Sequence, residues 1–229
     1  MKGGESWAVV LAAGSGTRFG GEKQFADLAG LPMLDHAVRS AGTACDGVVV
    51  VLPADCQDCW TAPADVRSVA GGATRAQSVR AGLAAVPETA IVIVVTDAAH
   101  PLASPRLYRR VVETVRSGAD GAVPGLPLTE VVKEVFSTSS DTAPVLEAGR
   151  NIPRETHRLT QTPYAFGANW LREAYASSLE AVEDSELVSA LGARVVMVEG
   201  EPANIHVTTP EELALANLLA PGVFGRDGF

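Results

Sequence analysis

A run of small residues, Ala12-Ala13-Gly14-Ser15-Gly16, ends in Arg18 and is followed by Lys23. Small residues let backbone N–H groups approach an oxyanion closely. Two cations five residues apart beside such a turn can neutralise charge on a transferring phosphoryl group. A P-loop would need Gly-Lys-Ser/Thr where the chain has Gly16-Thr17-Arg18, and a dinucleotide fingerprint would need a third Gly or Ala where Phe19 stands. Read alone, the segment also fits a tight strand-to-helix turn with a solvent-facing Arg18.

Two further segments carry chemistry. Val94-Val95-Thr96-Asp97 ends an apolar run in a carboxylate. At the carboxyl end of a central strand, Asp97 would share a rim with the glycine loop and could hold Mg²⁺ against phosphate oxygens; in isolation it would be a turn cap. The second segment, Ala70-Gly71-Gly72-Ala73-Thr74-Arg75, leads into a helix containing Ser78. Its glycines permit close approach of a base or ribose, and Arg75 and Ser78 would lie on the first helical turn. An ordinary helix start capped by Thr74 is the plainer alternative.

The elements that must position these residues alternate in type. Trp7–Ala12, Val48–Leu52, Ile91–Val95 and Arg194–Val198 are short Val- and Ile-rich runs without clean alternation, as expected of parallel strands covered on both faces. Between them, Pro32–Ala41 (stopping at Gly42), Thr74–Val86 and a helix started by Ser104-Pro105 show apolar stripes at helical spacing. Near the end, Thr209, Pro210 and Glu212 form a capping box, with Leu215, Leu218 and Leu219 expected on the buried face. The pattern predicts an α/β three-layer sandwich with a mainly parallel central sheet. Residues 1–229 read as a single domain, from which residues 120–162, broken by prolines around β-like runs such as Val131–Phe136, depart as a protruding β-arm.

Composition narrows the function classes. In 229 residues, 47% are apolar and 20% charged, which excludes global disorder and fibrous repeats. With 18 Lys and Arg against 27 Asp and Glu, the net charge of −9 argues against a nucleic-acid binder, while leaving room for a small anion in a locally basic cleft. No apolar run is long enough to span a membrane and MKGGESW has no secretory core, so a cytoplasmic location is expected. Three cysteines, Cys45, Cys56 and Cys59, argue against a disulfide framework. The pair Cys56-x-x-Cys59 lacks the additional ligands of a zinc site and the strand-to-helix setting of a thioredoxin motif, and reads as incidental packing.

Six segments in order, LAAGSGTRFG with Lys23-Gln24, GGATRAQSVRAGL, VTDAAHP, PLTEVVK, LTQTP and VEGEPANIHVTTPEELALA, resemble the 2-C-methyl-D-erythritol 4-phosphate cytidylyltransferase family from Leu11 to Ala216. The resemblance implies a GT-A-like nucleotidyltransferase fold and CMP transfer from CTP to a polyol phosphate in isoprenoid biosynthesis, with Mg²⁺ and release of pyrophosphate. By motif, Ala12, Ala13, Gly14 and Gly16 would meet the nucleotide, and Arg18 and Lys23 would stabilise the transition state. Gly72, Arg75 and Ser78 would belong to the cytidine region, and Asp97 would bind the metal. It further implies a homodimer in which each arm reaches the neighbour's acceptor site, with Arg154 as the arm arginine.

Four departures fall on the acceptor side. The family pattern has Arg where this chain has His100 and Lys where it has His206. The usual Asp-Thr is Glu130-Val131, and the acidic residue before the arm arginine is Pro153. Two histidines in place of Arg and Lys exchange fixed charge for charge that depends on pH, given an ordinary imidazole pKa of about 6.5. The expected acceptor-positioning set is therefore Arg154, His206, His100 and Val131. Methylerythritol phosphate is the expected acceptor; another, such as ribitol 5-phosphate, or a nucleotide-binding homologue with weak or lost transfer, is the alternative.

Overall fold

The computed structural model describes residues 4–14, 16, 19–138, 145–177 and 183–225. The chain runs β1 (Glu5–Leu11), a 3₁₀ turn (Lys23–Phe25), the hairpin β2 (Asp27–Leu28) and β3 (Leu31–Pro32), α1 (Met33–Ala44), β4 (Gly47–Leu52), β5 (Val66–Ala70), α2 (Arg75–Ala85), β6 (Ala90–Asp97) and α3 (Pro105–Arg116). It continues with β7 (Gly121–Pro127), β8 (Lys133–Thr138), β9 (Val145–Asn151), β10 (Arg158–Thr160), β11 (Tyr164–Gly167), α4 (Ala168–Ala176), α5 (Asp184–Ala190), β12 (Val195–Glu199) and α6 (Pro210–Phe224).

In the main sheet β6, β1, β4 and β5 are neighbours in that order and all parallel. β11 joins β6 antiparallel and links it to β7, which also pairs with β10 and, in parallel, with β12. Because successive strand residues face opposite ways, Ala8 and Val10 pack under α1 and α3, while Val9 and Leu11 pack under α2, α4 and α5. Both faces are thus covered, which accounts for the unbroken Val and Ile runs. This is the expected three-layer α/β sandwich.

Local signals hold in detail at several helix starts. Thr74 accepts from the Gln77 N–H, Ser104 accepts from the Leu107 N–H ahead of Pro105, and Thr209 with Glu212 completes a capping box.

Three expectations need correction. α1 does not stop at Gly42 but continues to Ala44. A glycine costs a helix only about 1 kcal/mol, and Leu34, Ala37, Val38 and Ala41 bury a continuous face that offsets it. In α6 the buried positions are Ala216 and Ala220, packed with Leu28, Met33, Leu102 and Val207, whereas Leu215 and Leu218 are 47% and 80% exposed. Small side chains let the helix sit close, and that choice of face turns the two leucines outward. Finally, Cys56 and Cys59 are not incidental: their sulfurs are joined in a disulfide within the β4–β5 connection.

Segment 120–162 is divided in the structure. β7 and β10 belong to the main sheet, and β8 and β9 form a separate antiparallel ribbon. Val131 and Val132 precede β8, which starts at Lys133.

Candidate active site

Parallel strands place their carboxyl ends on one rim, and the chain leaves β1, β4, β5 and β6 there into a cleft of about 830 Å³. Ala12, Ala13 and Gly14 line it from the loop after β1; Gly72, Arg75 and Ser78 line it from the start of α2; Lys23 and Asp97 complete the facing wall. Gly16 shapes the loop: its φ is +59°, and a Cβ there would lie 1.8 Å from the Gly21 carbonyl oxygen, so no other residue fits. Arg18 lies outside the described residues. All the other nucleotide-side residues expected from sequence, save Gly16, contact this one cleft.

Lys23 is tethered, its Nζ donating to the Val207 carbonyl at 3.0 Å. Its neighbour Gln24 also lines the cleft, with a buried amide nitrogen that has no hydrogen-bond partner among the described residues. A buried donor left in that state is costly, and a ligand oxygen would satisfy it.

Arg75 is held by a residue the sequence did not suggest. Its Nη1 and Nη2 donate to the two oxygens of Asp184 at 2.9 and 2.6 Å, and the Tyr175 hydroxyl donates to the same carboxylate. Asp184 is fully buried at the start of α5. Burial disfavours charge on Arg75, but Asp184 and Asp97 outweigh it and hold the guanidinium pKa above its ordinary value. The Asp97 carboxylate lies 3.9 Å from Arg75 Nε. Burial raises the Asp97 pKa, against the lowering effect of Arg75, His206 and Lys23.

Behind Asp97, Thr162 ties β6 to the turn before β11. Its Oγ1 accepts from the Asp97 N–H at 3.2 Å and lies 3.0 Å from His100 Nδ1. His100 is buried and stacks on His206 with ring centroids 4.6 Å apart. Burial above all, with His206 and Lys23 adding to it, lowers the His100 pKa to about 3, so its ring is neutral at neutral pH. His206 reaches the cleft; His100 supports it from behind.

The two arm residues are elsewhere. Val131 is 61% exposed, and Arg154 donates to the Thr129 carbonyl at 2.9 Å within the arm itself. Neither lines the cleft of its own chain.

Sequence reasoning missed Asp184, whose partner Arg75 lies far away in sequence, and quoted Thr162 only within the segment LTQTP, with no role. It quoted Gln24 only as a neighbour of Lys23, although a polar side chain directly beside a cleft lysine was the available signal.

A mainly parallel sheet that gathers a glycine loop, a lysine, a helix start and a carboxylate at one rim defines a nucleotidyltransferase of the α/β class. The family model for 2-C-methyl-D-erythritol 4-phosphate cytidylyltransferase matches residues 7–220, and the chain belongs to that family. It is 41% identical over 220 residues to the enzyme of that name from Rhodococcus jostii, with 93% of each chain covered, and 40% identical to that from Nocardia farcinica, with 93% and 92% covered. Among solved structures, 2-C-methyl-D-erythritol 4-phosphate cytidylyltransferase from Thermus thermophilus superposes with a TM-score of 0.74 at 33% identity, covering 93% of this chain and 97% of that one.

Proposed function

We propose that this enzyme transfers CMP from CTP to 2-C-methyl-D-erythritol 4-phosphate. A phosphate oxygen of the acceptor attacks the α-phosphorus of CTP in line. The bond from that phosphorus to the oxygen bridging toward the β-phosphate breaks, and pyrophosphate leaves. The carrying observation is that the loop after β1, Lys23, the start of α2 and Asp97 share one cleft in a chain of this family. Catalysis is then positioning and charge stabilisation, with backbone N–H groups of Ala12, Ala13, Gly14 and Gly16 meeting the triphosphate and Lys23 and Arg18 opposing charge at the reacting phosphoryl group.

Asp97 fits a Mg²⁺ ligand by donor chemistry: a single rim carboxylate suits a cation that keeps several waters and takes its other ligands from phosphate. Bound there, Mg²⁺ would supply charge neutralisation on the triphosphate. The arm fits a homodimer, since Val135, Phe136 and Leu146 leave its ribbon apolar and more than half exposed, while Arg154 and Val131 lie outside the cleft of their own chain. A cytoplasmic location accords with the need for CTP. No helix among the described residues is long and apolar enough to cross a membrane.

A second reading, transfer to a different polyol phosphate such as ribitol 5-phosphate, is favoured by one observation. The position where the family pattern carries Arg holds a buried, neutral His100. Pyrophosphate release from CTP and Mg²⁺ with a panel of polyol phosphates decides between them. Preferred turnover of methylerythritol phosphate is expected; faster turnover of another acceptor selects the second reading, and CTP binding without release from any acceptor overturns transfer altogether.

A further inference from the structure

The cysteine motif left unused by the nucleotide chemistry gains a third ligand in the fold. Among the described residues, one group of three His, Cys, Asp or Glu brings its ligand atoms within 4.8 Å of one another: Glu22, Cys56 and Cys59. Glu22 lies between the loop after β1 and Lys23, and the cysteines lie in the β4–β5 connection just after Asp55. Both segments wall the cleft, Glu22 and Asp55 lining it directly. Two cysteines at i and i+3 are a chelating pair, and two thiolates with one carboxylate form a donor set suited to a borderline-soft divalent cation such as Zn²⁺.

We propose that, once its disulfide is reduced, this cluster is a three-ligand Zn²⁺ site that fastens together the two walls of the nucleotide cleft. A dithiol supplies two electrons and two protons, leaving as its own disulfide, and Cys56 and Cys59 become thiols. Zn²⁺ then displaces both thiol protons and takes one Glu22 oxygen, with water in the fourth position. The oxidised form has no thiolate to offer, so metal binding and disulfide exclude one another. Cys45 does not compete: burial first, with Asp46 adding to it, pushes its thiol up to about 12. Holding Glu22 also fixes the residue next to Lys23, so the site would report the redox state of the loop to the phosphate end of the cleft.

The test is a titration of the full chain with ZnCl₂ against a chromogenic chelator, after reduction with a phosphine and removal of excess reagent, and separately after oxidation. A Co²⁺ titration reads thiolate-to-metal charge transfer directly. The reduced protein is expected to take up one equivalent with a thiolate band, and the oxidised protein none. Cys59→Ser, at an exposed position whose circular dichroism should match the parent, should lose the band. Loss of an outer-shell partner already weakens metal sites about 10- to 100-fold, so Glu22→Gln should weaken binding by at least about tenfold. Uptake by the reduced protein no greater than by Cys56→Ser/Cys59→Ser, equal uptake by the oxidised form, or unchanged affinity in Glu22→Gln would each overturn the proposal. None of these readouts depends on transfer activity, so they stand or fall separately from the proposed reaction.

Discussion

Around the start of α2, polar side chains are held by buried partners: Arg75 by both oxygens of Asp184, Asp184 by Tyr175, and the Gly72 N–H by Ser78 Oγ at 3.2 Å. The arm is built the opposite way. Among the described residues β8 and β9 pair only with each other, and Val135, Phe136 and Leu146 are exposed. On the proposed reaction this wall would meet the nucleotide, and preorganised polar groups serve best when they are rigid. The arm has little of its own chain to rest on, which is the construction expected of a surface that becomes ordered against something else.

That contrast breaks first at Lys23. If it opposes charge in the transition state, Lys23→Ala should reduce turnover by about 10²- to 10³-fold with CTP affinity changed far less, read as pyrophosphate release against CTP binding. An equal loss in both would make Lys23 a ground-state binder. Asp184→Asn probes rigidity on the same side. Removing one member of a buried ion pair costs about 3–5 kcal/mol; with a third of the Arg75 side chain in solvent, about 3 kcal/mol is expected, measured by urea unfolding, together with weaker CTP binding.

On the arm the expected signature reverses. Arg154→Ala should leave stability and the KM for CTP unchanged while raising the KM for the acceptor by about tenfold, consistent with loss of one charge-assisted contact. Mixing it with the Lys23→Ala chain, whose arm is intact, sharpens the comparison. If arms serve the neighbouring site, the mixture gains a fraction of sites with the parent's KM for the acceptor, which neither variant shows alone.

Much of the cleft wall was legible in the sequence because its signals are local: small residues after a strand, a carboxylate ending another, a capped helix start. Each is a few residues long and sits where a parallel sheet must put it. Asp184, Thr162 and the Glu22–Cys56–Cys59 group were not legible, since each depends on contacts between segments whose sequence separation carries no period. α6 fails differently: Leu215 and Leu218 satisfy the apolar spacing, but tight packing selected Ala216 and Ala220, and hydrophobicity alone does not reveal closeness of approach.

The smallest effect, and the one that separates structural from chemical roles on the acceptor side, is the pH dependence of His100. Its folded pKa of about 3 lies below the ordinary 6.5 because burial opposes its charge. Between those values the unfolded chain binds more protons than the folded one, so stability is fully present above about pH 6.5 and falls as the pH drops toward 3. The slope from this group cannot exceed about 1.4 kcal/mol per pH unit. His36, also lowered by burial, adds to the same trend, so the contribution of His100 is read as a difference. Urea unfolding at pH 7 and pH 5 should show His100→Gln losing less stability than the parent, by up to about 2 kcal/mol over that interval. If the two slopes coincide, His100 titrates in the fold as it does in the unfolded chain and burial does not oppose its charge; only a parent that gains stability relative to the variant on acidification would show a fold that holds His100 as the cation.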